Sequence, residues 1–402
     1  MRFFLTAMVL AALVAHGPTA AAEETCGAEI DPFLTVEGRE FVDLCFENGG
    51  CFGPCADLYY NRVDGLLFFL GVEYRADRLL HPRMRALAGW PSARGDDYYR
   101  LDFEQPLWSP DGFSVGVSLY EHTAWNQDDD EFVSDFGNNF RAFFLRRDYR
   151  DYWRAEGVTV FAQHRATPEL TFRVEYRSDA ITSLEARESV WSVFDRDDDW
   201  RDNPPLMVGI LEAQREYEGR MRSVHASAVY DSRNRYVHSG WRTRFFVEVA
   251  PEGLEGDYEF RRYWADAEWL ARLTCTQTMT FQAAWGVGSG TDFPSNRLFH
   301  LGGEHDLRGY ELKEFAGKDR LFGRVEYGVQ IRPKLTTIFF ADGGEVSYNA
   351  DSPDSDDSNG FVWDVGIGFR FDAPGIGDIR LDFARAVTDE ERDIQIDFEL
   401  YY

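Results

Sequence analysis

Basic residues are scarce in this chain. Lysine and arginine number 42 against 70 aspartates and glutamates, a net charge of -28 over 402 residues. Phosphate would be repelled on average, which excludes free nucleic acid as a partner. Long apolar runs are missing as well: beyond residue 22 nothing approaches 18 consecutive apolar residues, and helical membrane spans are excluded with them. Histidine is sparse, with eight scattered copies. Together with the abundant acids these form no recognisable triad, so no enzymatic activity is expected. Cys51-x-x-x-Cys55 lacks the paired spacing of a zinc site and has no histidine nearby, so neither metal nor cofactor is expected.

What the chain does have is aromatic side chains, at 16% of residues, and 35 glycines. With so many charges beside them, they suit a sheet with one wet side and one apolar side. Residues 1–22 read as a secretory signal: Arg2 supplies the charge, Leu5 to Ala15 the apolar core, and Ala20 and Ala22 the small residues before a cut. Behind it crowd Cys26, Cys45, Cys51 and Cys55, while Cys275 stands alone. In an exported protein this favours two disulfides among the four, in any of three connectivities, with Cys275 left as the free thiol. A short stapled segment over 23–60 and one large domain over 61–402 is the expected organisation.

That large domain is dominated by period two. Phe113, Val115, Val117 and Leu119 alternate with Ser114, Gly116, Ser118 and Tyr120; Leu170, Phe172, Val174 and Tyr176 alternate with Thr171, Arg173, Glu175 and Arg177. Over 361–371, Phe361, Trp363, Val365, Ile367, Phe369 and Phe371 share a face opposite Asp364, Gly366, Gly368 and Arg370. The chain ends on Ile394, Ile396, Phe398, Leu400 and Tyr402 against Gln395, Asp397, Glu399 and Tyr401. Further strands are predicted near 63–75, 82–92, 97–107, 157–165, 219–231, 238–250, 257–271, 276–289, 320–332, 335–345 and 377–386. Most are nine to thirteen residues, longer than the ~5 to 6 of soluble strands and close to the ~9 to 11 that a tilted membrane strand needs. A soluble sandwich would pack its apolar faces inward. Here charge and glycine share one face and large apolar residues the other, which predicts an all-β transmembrane antiparallel β-barrel, polar inside and apolar outside.

Connections agree with that reading. The long ones, 121–156, 178–218, 290–319 and 346–360, all follow even-numbered strands, whereas Pro110-Asp111-Gly112, Arg332-Pro333-Lys334 and Ala373-Pro374-Gly375 are tight turns. If the C-terminus is periplasmic, the long loops face outward. The predicted strands number fifteen, yet a barrel with both termini on one side needs an even number. One strand is therefore missing, most readily before residue 63, which gives 16; 14 or 12 follow if strands have been split too finely. Asp128 to Glu131, Asp195 to Asp202 and Asp351 to Asp357 make the long loops acidic. They read as solvated tips rather than cation sites.

One loop stands apart. Between strands ending near 289 and starting near 320 runs Phe299-His300-Leu301-Gly302-Gly303-Glu304-His305-Asp306-Leu307-Arg308-Gly309-Tyr310. Backbone freedom beside an aromatic anchor has little purpose in a loop surrounded by water. The stretch resembles the signature loop of the BamA/TamA family of outer-membrane assembly barrels, the bacterial surface antigen proteins, in which Arg-Gly-Phe or Arg-Gly-Tyr folds back into the lumen. Gly323-Arg324-Val325-Glu326-Tyr327 resembles the Gly/Glu strand after that loop, Phe340-Ala341-Asp342-Gly343-Gly344 its Phe-x-Asp-x-Gly strand, and five strands follow the loop as they do there. Tyr59 to Gly65 is a weaker match.

The resemblance implies that Gly302, Gly303, Arg308, Gly309 and Tyr310 anchor an inward-folded loop. Arg308 would then pair with Asp342, or with Glu326, beside Gly344. Alternation alone leaves the direction of Asp342 open, since Ile338 and Phe340 share its face and Phe339 and Ala341 lie opposite. The function implied is outer-membrane protein or lipid assembly or transport through a strained seam between first and last strands. The partners are outer-membrane lipid and lipopolysaccharide, client proteins and a periplasmic accessory protein. A passive channel is the alternative, and an outer-membrane enzyme a remote third. With only 23–60 ahead of the barrel, the chain reads as a barrel-only member without periplasmic polypeptide-binding domains.

Overall fold

The computed structural model describes residues 44–46, 50–76, 82–108, 112–126, 135–194, 199–208, 215–216, 218–234, 237–290, 292–303, 306–347, 360–373, 377–389 and 392–401. The expected signal, Cys26, Glu304, His305 and the acidic stretches 128–131 and 351–357 lie outside them. Of the stretch 195–202, residues 199–202 are described.

The strands are β1 Leu44–Phe46, β2 Gly50–Asn61, β3 Gly65–Ala76, β4 Arg83–Pro91, β5 Tyr98–Pro106, β6 Phe113–Trp125, β7 Tyr152–Arg165, β8 Leu170–Ser183, β9 Met207–Val208, β10 Arg215–Glu216, β11 Gly219–Asp231, β12 Gly240–Ala250, β13 Phe260–Arg272, β14 Gln277–Ser289, β15 Phe299–Leu301, β16 Phe315–Gly317, β17 Asp319–Arg332, β18 Leu335–Ser347, β19 Val362–Ala373, β20 Gly377–Ala386 and β21 Gln395–Tyr401. Two pairs, β9 with β10 and β15 with β16, are small hairpins inside long loops; the other 17 form one sheet. Apart from the three-residue β1, which folds back on β2, that sheet consists of sixteen strands, each antiparallel to its neighbours in sheet order. Of these sixteen the sequence misses only β2, at the place parity points to, and the barrel wall accordingly begins at Gly50 rather than near 61.

Alternation sets the two faces. Leu66, Phe68, Leu70 and Val72 of β3, Phe339 of β18 and Trp363 and Val365 of β19 are exposed on the outside. Glu248, Arg262, Asp342 and Asp364 are buried on the inside. The inward face of β18 also carries Ile338 and Phe340. Long connections gather at one end of the strands and short turns at the other, as expected.

Two features of the long loops are not apparent from the sequence. A helix, Asp135–Leu145, interrupts the loop after β6. Its Gly137, paired Asn138 and Asn139, and several Phe residues are poor helix formers, so tertiary packing rather than propensity holds it. Ala142 and Phe143 pack against Tyr60, Val190 and Trp200. The second feature is a buried knot at the β2–β3 turn. Arg62, fully buried, donates to the carbonyls of Asp148 and Arg150, to Asp151 Oδ1 and to Asn203 Oδ1.

Candidate functional site

The loop between β14 and β17 enters the lumen through a tight reversal. Gly302 and Gly303 sit at φ +115° and +96°, where a Cβ would be strained. Gly303 N donates to Leu307 O at 3.1 Å, Asp306 N to Gly303 O at 3.1 Å and Lys313 N to Gly302 O at 3.1 Å. The turn delivers Leu301 and Leu307, both fully buried, against Phe322, Val346, Val362 and Ala386 of the wall. Gly344 leaves room there: a Cβ would stand 2.7 Å from the Leu301 side chain.

At the tip, Arg308 is the centre of an ionic network. Its Nε and Nη2 donate to the two oxygens of Asp342 at 2.7 and 3.0 Å, a bidentate pair. Nη1 donates to Glu326 at 2.9 Å and to Asp382 at 2.8 Å, and the guanidinium lies 3.4 Å from the Phe340 ring centroid. Asp342 and Glu326, which the sequence offers as alternatives, are therefore both partners. Arg324 bonds both oxygens of Asp342 and reaches Asp306 O at 2.7 Å; Arg380 bonds Glu326 and Asp382. Arg308 and Arg380 each meet more than one anion, and Arg324 adds a backbone carbonyl to its carboxylate, the kind of satisfaction under which a buried network repays its desolvation. Gly309 N donates to Asp364 at 3.0 Å, and a Cβ at Gly309 would stand 2.7 Å from Ala386 N. Tyr310 is buried against Phe315 and under Arg392.

Of the eight residues singled out, Arg308, Glu326 and Asp342 share one ionic network, Gly309 and Tyr310 follow it along the loop, and Gly302, Gly303 and Gly344 shape the turn and the wall beside Leu301 and Leu307. Arg324, Asp364, Arg380 and Asp382 were not singled out. Their signal is period two: each occupies an inward position on a strand whose other face is apolar. Farther up, toward the loops, Lys313 bonds Asp151 at 3.0 Å, and Arg62 and Arg201 hold the same carboxylate. Burial opposes the charge on Asp151, but Lys313, Arg201 and Arg62 together hold it well below the usual carboxylate range. Burial, helped by Lys313 and opposed by Asp151, pushes His300 down to about 3, so it is neutral.

The cysteine expectations need correction. Cys55 is not in a disulfide. It is a free, buried thiol on the inward face of β2, walled by Leu67, Phe69, Leu87 and Tyr98, with no second cysteine in that cluster. Cys275, expected to be the free thiol, is disulfide-bonded. Cys45 and Cys51 face each other in the β1–β2 register; their side chains are outside the described residues.

Two arrangements bear on chemistry. Gly112-Phe113-Ser114-Val115-Gly116 has the letters of a nucleophile elbow. It enters the straight strand β6 rather than a strand-to-helix turn, so Ser114 lacks the exposed geometry that elbow needs. In the lumen, Ser223 Oγ and Glu248 Oε1 approach the same His225 Nε2, at 2.8 and 3.3 Å, and Glu248 is bonded by Arg297. A base and its orienting carboxylate need different ring nitrogens. Among the described residues no cluster of three or more His, Cys, Asp or Glu is placed to hold a metal ion.

A model of the Omp85 superfamily domain matches residues 89–400. Among solved structures, the chain is similar to BamA from Haemophilus ducreyi lacking POTRA domains 1–3, at 13% identity and a TM-score of 0.58, over 88% of this chain and 70% of that one. It is also similar to CdiB from Acinetobacter baumannii, at 9% identity and a TM-score of 0.44, over 89% of this chain and 60% of that one. The chain thus spans less than two thirds of that CdiB. No curated protein matches. At such identities the likeness speaks for the fold.

Proposed function

The chain belongs to the Omp85 superfamily of outer-membrane barrels, and from that premise we propose that it supports the assembly or transport of outer-membrane proteins or lipids. The observation that carries the reading is the inward loop clamped through Arg308 to Asp342, Glu326 and Asp382. A loop tied to β17, β18 and β20 stiffens the C-terminal wall. The junction between β2 and β21 is then the part of the barrel free to yield. In this reading the long loops face outward amid lipopolysaccharide, and the C-terminus and short turns face the periplasm, where an accessory protein would deliver clients.

A passive channel is the competing reading, because the lumen wall is rich in charge. Against it, Leu301, Leu307 and Tyr310 pack into the wall as a folded plug rather than merely narrowing a bore. The test is reconstitution into liposomes with a small urea-unfolded outer-membrane barrel as client. Folding of the client is expected to be faster than in protein-free vesicles and in vesicles holding an unrelated barrel. Equal folding rates in all three, with steady ionic conductance from this protein in planar bilayers, would overturn assembly in favour of the channel.

A further inference from the structure

The helix Asp135–Leu145 touches both ends of the sheet. Asn139 Oδ1 accepts from Tyr60 N at 2.9 Å and Asn139 Nδ2 donates to Leu58 O at 3.0 Å. A side-chain amide presents an N–H donor and a carbonyl acceptor side by side, as a neighbouring strand residue does. Asn139 thus occupies the edge of β2 as a paired strand would. Two residues on, Arg141 Nη2 donates to Phe398 O of β21 at 2.7 Å, its guanidinium lying 4.8 Å from the Tyr149 ring centroid.

The helix is itself firmly held. Asn138 donates to Asp148 Oδ1 and to the Tyr152 hydroxyl, both at 3.1 Å, and accepts from Tyr149 N. Asp148 in turn accepts from Arg62 N at 2.9 Å, beside the start of β3. On the outer face, Phe143 meets Tyr60 edge-on at 5.1 Å, and the Tyr60 hydroxyl donates to Trp191 O. Trp191 and Phe194 are 51% and 58% exposed, as is Leu58 at 57%.

We propose that this helix is a latch that ties the first long strand to the last, between which no ladder pairing is found among the described residues: Asn139 engages the β2 edge, Arg141 engages β21, and release of both frees the two edges. The inference rests on the helix contacts and holds whether the barrel assembles other proteins or conducts.

A latch acts as a unit, and local side-chain bonds do not, so the test asks for effects at a distance. Deuterium exchange is followed in peptides covering 56–61 and 395–401 of the full-length protein in bilayers. Of the two strands, it is β21 whose bond Arg141→Ala removes, yet exchange in the β2 peptide is expected to rise about tenfold, the factor carried by a free-energy change of 1.4 kcal/mol. Asn139→Ala touches only β2, yet exchange in 395–401 is expected to rise likewise. Arg141→Lys keeps a donor and is expected to stay near wild type; it carries the comparison if an alanine variant does not insert. Each variant accelerating only the strand it touches, with heat-modifiable gel mobility intact, would overturn the latch, as would exchange in Arg141→Lys rising in β21 alone.

Discussion

The protein secures its two main loop systems by opposite means. The loop on β17–β20 is fixed by charge: Arg308, Arg324 and Arg380 interleaved with Asp342, Glu326 and Asp382. The helix on β2 and β21 is fixed largely by a neutral amide, backbone groups and aromatic rings, and its charged member, Arg141, is spread over a carbonyl and the Tyr149 ring. The surroundings account for the contrast. Inside the lumen wall a charge can find several partners, whereas the edge of β2 offers only backbone donors and acceptors, which a neutral amide matches. A clamp built of charge is also hard to undo, while neutral contacts at an edge can be exchanged for those of another strand.

The largest effect is expected from breaking the clamp. Arg308→Ala leaves Asp342 with Arg324, and Glu326 and Asp382 with Arg380, but removes the one cation common to all three acids, a loss of ~3 to 5 kcal/mol for a buried network member. The loop should become sensitive to protease and single-channel conductance should rise. Asp342→Ala should do less, because Arg308 keeps Glu326 and Asp382. The double variant should fall well short of the sum, since both changes remove the same bidentate pair. Strict additivity would mean that the two loop systems do not differ in the way proposed.

The contrast also decides what the sequence discloses. Charge at inward positions of strands with period two is visible in one dimension, and an ordered set of short motifs names its centre; hence Arg308, Asp342 and Glu326 emerge before any coordinates. The missing strand β2 hides because Gly50, Gly53 and Pro54 blur its alternation. The helix hides for a different reason: Asn139 and Arg141 bond backbone groups, which carry no residue identity, so nothing in β2 or β21 marks them as partners. Cys55 shows the same limit, since spacing suggests a staple where the fold supplies an apolar pocket.

A smaller effect is expected where the two loop systems meet, at Asp151, Lys313 and His300. His300 has its folded value pushed down to about 3, against ~6.5 unfolded. The unfolded loop therefore binds a proton that the folded loop refuses, and stability declines as pH falls below about 6.5. Asp151 is held below the ordinary carboxylate range; its contribution is present above about pH 4 and is lost on further acidification. Protection of residues 299–318 against deuterium exchange, corrected for intrinsic rates, should be flat above pH 7.5, decline below 6.5 and fall more steeply below 4. His300→Gln should remove the first decline and keep the second. A profile flat to pH 4 would detach this joint from the ionic half of the comparison.

The smallest effect concerns the wall below the latch. Cys55 faces inward on β2 among Leu67, Phe69, Leu87 and Tyr98, and is 5% exposed. Beside it Arg85 pairs with Asp57 at 2.5 Å and also reaches the thiol, whose other neighbours are apolar. A maleimide should leave Cys55 unmodified in the bilayer-embedded barrel and modify it after unfolding in denaturant. Cys55→Ala should cost only about 1 kcal/mol, the loss of one small buried atom with a partly filled cavity. It should leave the protease resistance of the Arg308 loop unchanged, because the cluster shares no residue with the clamp. Rapid labelling in the folded barrel would mean that β2 already opens at its inner face, and the latch strand would then be looser than its contacts imply. Slow labelling in wild type that speeds up in Asn139→Ala would instead tie the opening of that face to release of the helix, because the same strand carries Cys55 on one side and the bonded Leu58 and Tyr60 groups on its edge.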